Sequence, residues 1–185
     1  MKWATQIGIG LVLAALGWET ARAGETNTTA TTTERIGVYD SRAVAYASFW
    51  SGDQQRKMSE LVNAAQVAKA AGDTNRFDEL SARLKSMQEQ GHLRVFSTAP
   101  VDDILAGMND RVEQVKKEAG VSQLVSKWDT TALKEHHQAE KVDVTDLLLR
   151  DYKLTEKQLN VVESFKTNAP LPLDEAKEMM RKGKL

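Results

Sequence analysis

Two amphipathic stripes separated by a short turn constrain this chain more than any other feature. From Asp53 to Ala71, the apolar residues Met58, Leu61, Val62, Ala65 and Ala68 recur at spacings of three and four, which on a helix gathers them onto one face. Ala71-Gly72-Asp73 reads as a turn, and Phe77, Leu80, Leu84 and Met87 carry a second stripe down to Gln90. Residues 53–90 are therefore expected to form an antiparallel helical hairpin with arms of roughly 25 Å. The outer faces are rich in Gln, Lys, Glu and Asp, as a solvated surface requires.

The hairpin is flanked by shorter elements. Arg35 to Tyr39 has the alternation of a strand, and Asp40-Ser41 supplies capping groups for a helix through Val44, Tyr46 and Phe49. The aromatic residues Tyr39, Tyr46, Phe49 and Trp50 are expected to pack beneath that helix. Gly91 to Ala99 is expected to interrupt the helical pattern, with Ser97 or Thr98 capping the next helix and Pro100 near its first turn. That helix carries Val101, Ile104, Leu105, Met108, Val112, Val115 and Ala119 on one face. Asp102 and Asp103 sit at its positive end, Lys116 and Lys117 at its negative end, and Gly120 ends it. Strands are expected within Val121–Trp128 and Lys141–Val144, with a polar connection between them. Thr155 to Gln158 is a capping-box pattern for a helix with Leu159, Val162 and Phe165, and a basic C-terminal helix with Met179 and Met180 follows Pro170 and Pro172. The fold class is thus α+β, mostly helical: a small body of short strands with a projecting helical hairpin.

The N-terminus reads as an export leader. Lys2 supplies a positive start, Ile7 to Leu16 an apolar run, and Ala21-Arg22-Ala23 a small-x-small site, so cleavage is expected after Ala23. The run falls short of the roughly 20 apolar residues a bilayer span needs, so no integral membrane segment is expected after cleavage. Residues 24–34 form a Thr-rich tether too polar to fold alone, and residues 35–185 a single domain. The expected location is periplasmic or secreted. With no cysteine there is neither a disulfide framework nor a lipidated N-terminus, so stability must come from packing or from association between chains. The formal charge of −1 includes Lys2, Arg22 and Glu19 of the leader, and nothing in this balance calls for nucleic acid or an anionic membrane surface.

Two islands carry a resemblance. The first is Arg35-Ile36-Gly37-Val38-Tyr39-Asp40-Ser41-Arg42-Ala43-Val44. The second runs from Gly120-Val121-Ser122-Gln123-Leu124-Val125 to Val142-Asp143-Val144-Thr145-Asp146-Leu147-Leu148. Both resemble the Skp/OmpH-like periplasmic chaperones, and the helical hairpin between them is in the place that family puts one. The resemblance implies a homo-oligomer, a trimer in that family, whose strands join in a central β-body and whose arms hold unfolded outer-membrane proteins without ATP. It implies no catalytic residue and no cofactor. Methionines suit adaptable binding surfaces, which makes Met58, Met87 and Met108 the candidate client-binding residues, with packing in the core as the alternative role for the same side chains. The chain departs from the family in its near-neutral charge, short arms, interrupted second arm and longer tail. Those departures leave room for a scaffolding protein of the same fold with one fixed envelope partner.

No phosphate loop, nucleophile elbow or HExxH pattern is present. His136 and Glu140 would share a helical face beside His137, half a metal site with only the distant His92 as a further ligand, so no metal is assigned.

Overall fold

The computed structural model describes residues 33–185, which form one compact unit. The leader and all but the last two residues of the Thr-rich stretch lie outside it. The architecture is mostly helical α+β, built on a three-stranded parallel sheet in the order β2-β1-β3. The central strand β1 (Arg35–Tyr39) pairs with β2 (Leu124–Ser126) and β3 (Glu140–Asp143), with Gly37 opposite Leu124 on one side and Val142 on the other. All three strands thus come from one chain, and the two sequence islands meet in space as neighbouring strands.

Asp40 ends β1 and starts α1 (Ser41–Phe49), its carboxylate accepting the backbone N–H of Arg42 at 3.0 Å. Ser51 caps α2 (Gly52–Ala70), and Asp73 caps α3 (Thr74–Phe96) after the turn at Gly72. These two helices pack against each other, yet across both only Ala65, Ala68 and Leu80 are buried. At 1.5 Å per residue they run about 28 and 35 Å.

Three expectations are corrected. Gly91 does not interrupt the second arm, which continues six residues beyond Gln90 to Phe96. A Cβ at Gly91 would lie 3.2 Å from the Phe49 ring, so the glycine marks the close approach of α1 to α3 and is no helix stop. Ser97, moreover, finishes this helix in place of starting the next one. Its N–H and hydroxyl both donate to the carbonyl of Leu93, while its Oγ accepts the N–H of Ala99. The helix expected over Val101–Ala119 is in fact two, α4 (Asp102–Gly107) and α5 (Asn109–Ala119), broken at Met108 with φ −121° and ψ 34°. Gly120 ends α5 at φ 63°, a left-handed position where a side chain would be strained and would meet the Arg35 guanidinium.

Five further elements follow in the chain. They are α6 (Thr130–Glu135), α7 (Thr145–Leu149) running into a 3-10 turn (Arg150–Tyr152), α8 (Glu156–Ser164) with the full Thr155–Gln158 capping box, and α9 (Leu173–Arg181). The tail folds back on its own chain. Thr98 N–H donates to the Leu171 carbonyl and Leu171 N–H to the Phe96 carbonyl, which seats α9 against α3. The core lies between α1, the sheet and α7, where Val44, Val101, Val115, Val144 and Leu148 are almost wholly buried. Each such side chain stabilises the fold by about 1.5–3 kcal/mol.

Candidate protein-binding groove

Where α2 and α3 meet the body, these two helices, α1, α4 and the 3-10 turn after α7 leave a groove of about 500 Å³. The corner between α1 and α2 is held by Gln55, whose Nε2 donates to the Phe49 carbonyl at 2.8 Å. On the opposite wall, Arg94 of α3 bonds both carboxylate oxygens of Asp103 on α4 at 2.8 Å. The apolar surface between them comes from Phe49, Met87, Ile104, Met108 and Tyr152. Met108 sits at the break between α4 and α5, and the Tyr152 hydroxyl donates to its sulfur at 3.5 Å. Burial raises the pKa of that hydroxyl above the ordinary tyrosine value.

A second cleft of about 740 Å³ adjoins the first through Ser51, Asp53, Met108 and Tyr152, and it adds Trp50 and Arg111. Trp50 is 44% exposed, with its ring edge-to-face against both Phe49 and Tyr46. The sequence placed Trp50 in buried packing. The structure packs one edge of it and leaves the rest at the mouth of the groove.

Of the three candidate client-binding methionines, the fold brings Met87 and Met108 together. Met58 does not join them: it is half-buried on α2, outside the groove lining. What converges here is thioether, aromatic surface and charges of both signs, which is binding chemistry for apolar segments with polar flanks. Sequence reasoning missed Trp50 and Tyr152 as partners of these methionines, because they lie on other elements and no local spacing links them.

The other sequence candidates are engaged elsewhere. His136 Nδ1 lies 3.1 Å from the Glu34 carboxylate and its Nε2 2.6 Å from the Gln123 amide nitrogen. Glu140 pairs with Arg35 at 2.9 Å, and His137 contacts the Lys134 carbonyl. Among the described residues, no group of three or more His, Asp or Glu side chains is arranged to hold a metal ion.

Asp40 is more than a cap. Its carboxylate, 3% exposed, also takes the Trp128 indole N–H at 3.0 Å, the Lys127 ammonium at 2.6 Å and the Arg42 guanidinium at 3.3 Å. Burial alone would raise its pKa, but the hydrogen bonds from Lys127, Trp128 and Arg42 outweigh that and hold it below the ordinary value. Arg42 lies between the Trp128 and Phe165 rings and donates to the carbonyls of Phe165 and Asn168. The cluster ties α8 to the sheet, and every charge in it has a partner.

No family model, no curated protein and no solved structure matches this chain. Among the described residues, no helix is long and apolar enough to cross a membrane.

Proposed function

We propose that this chain is an exported, Skp-like, ATP-independent holdase that keeps unfolded envelope proteins soluble in the groove at the foot of α2 and α3. The observation that carries the reading is the meeting of Met87, Met108, Tyr152 and a half-exposed Trp50 in one pair of connected clefts. A holdase needs many weak, adaptable apolar contacts, which flexible methionines and an amphipathic indole supply. Several copies acting on one client would raise the effective concentration of such sites, so the working form is a homo-oligomer, a trimer by resemblance. The test is aggregation of a urea-unfolded outer-membrane protein after dilution. The chain slows it without nucleotide, and Met87→Gln with Met108→Gln weakens the effect about tenfold. Unchanged protection by that double variant would remove the groove from the account.

A second reading keeps the fold and changes the task to an envelope scaffold with one fixed partner. It is favoured by the sheet, whose three strands pair with one another within one chain. Protection confined to a single partner, with none for unrelated unfolded clients, would select it.

A further inference from the structure

The two outer strands of the sheet differ. On β3, three of four residues are charged (Glu140, Lys141 and Asp143), and charge on an outer strand discourages pairing with another chain. On β2 the residues are Leu124, Val125 and Ser126, with no charge at all. β1 takes up one side of β2: Gly37 N–H donates to the Gln123 carbonyl and Lys127 N–H to the Tyr39 carbonyl. By the alternation of a parallel ladder, the backbone groups of Leu124 and the N–H of Ser126 turn to the other side.

A cavity of about 420 Å³ borders β2: all four residues from Gln123 to Ser126 line it, together with Tyr39 at the end of β1. Its far walls are the segment before α4 and the helix α6. Those walls carry the carboxylates of Asp102, Asp129 and Glu135, and no lysine or arginine is among the lining residues. The field of these groups is felt inside the cavity: Tyr39 is pushed up to about 12, mainly by burial and further by Asp102 and Asp129. Ser41 also lines the cavity. Its hydroxyl is buried and has no hydrogen-bond partner among the described residues, which is rare for a buried polar group.

We propose that the outer side of β2 is a second binding site, which takes an extended, lysine- or arginine-bearing peptide segment of another protein by adding it as a strand. Backbone bonds to Leu124 and Ser126 hold the segment in register, and Asp102 and Glu135 select basic side chains projecting from it. This inference uses none of the groove residues, and it requires that the homo-oligomer of the holdase reading leave the outer side of β2 unpaired.

The test is fluorescence anisotropy of a labelled peptide of about eight alternating valine and lysine residues, roughly 26 Å when extended, titrated with the full chain. Saturable binding is expected. It should weaken about fivefold in the Asp102→Asn, Glu135→Gln double variant and on raising salt. It should be lost when the same peptide is N-methylated at alternate residues, a change that leaves the protein untouched. Equal binding of the N-methylated peptide, or of a valine–glutamate peptide, overturns the proposal. Displacement by free lysine at matching concentration assigns the acidic wall to a small cation and also overturns it. Absence of binding, with a Leu124→Cys variant cross-linking between two copies, gives the strand to a second copy of this chain instead.

Discussion

Asp40 illustrates how one side chain can fix several elements at once. It ends β1, caps α1 and gathers Arg42, Lys127 and Trp128 around a carboxylate out of water. Removing it with Asp40→Ala leaves Arg42 buried without its counter-charge and should cost about 3–5 kcal/mol, read from the urea midpoint. An unchanged midpoint would mean the cluster is dispensable. The pH dependence has a definite sign. A carboxyl held below its ordinary value of 3.8 contributes its full stability above that pH and loses it as pH falls through the depressed folded value. Tyr39 acts at the other end of the scale. With its pKa pushed up to about 12, it contributes stability below the ordinary 10.0 that is lost as pH rises toward 12. A phenolate titration followed in the ultraviolet should show a late step near there, absent in Tyr39→Phe. The capping role of Asp40 was legible in the sequence, because Asp-Ser before an apolar run is a local signal. Its partners Lys127 and Trp128 were not, since they follow a different strand and only the sheet register brings them near.

The elements show the same division between local and non-local signals. The capping box at Thr155, the turn at Gly72 and the glycine end of α5 all depend on neighbours in sequence, and all are where the pattern placed them. Gly91 failed as a helix stop because its meaning is a contact with Phe49 on another helix. Gly91→Val should therefore overpack the junction of α1 and α3 and cost about 1–3 kcal/mol in thermal or urea unfolding. Gly107 provides the contrast, since nothing lies within 4 Å of a Cβ placed there. Gly107→Ala should stabilise the protein by about 0.5–1 kcal/mol through helix propensity alone. The break at Met108 also escaped the apolar spacing, which runs unbroken from Val101 to Ala119. Periodicity records which face is apolar, and Ile104, Leu105, Met108 and Val112 keep that face toward the core across the break.

At the scale of the molecule, burial is uneven. The sheet, α1 and α7 hold the buried core, whereas the outer reaches of α2 and α3 have only a thin seam of Ala65, Ala68 and Leu80. Hydrogen exchange should accordingly be fastest in those two helices around the Gly72 turn and slowest in β1, and uniform protection would contradict this division. The mostly helical class and the small strand body were legible from periodicity and turn residues. The groove was not, because it is assembled from α1, α2, α3, α4 and the turn after α7, whose order in space the sequence does not state. The most direct test of the central claim is light scattering on a sizing column, with the expected mature chain, Gly24 to Leu185, and a urea-unfolded outer-membrane protein diluted into it. The account predicts a soluble co-eluting complex containing more than one copy of this chain. A client that precipitates while the chain elutes alone as a monomer would contradict it.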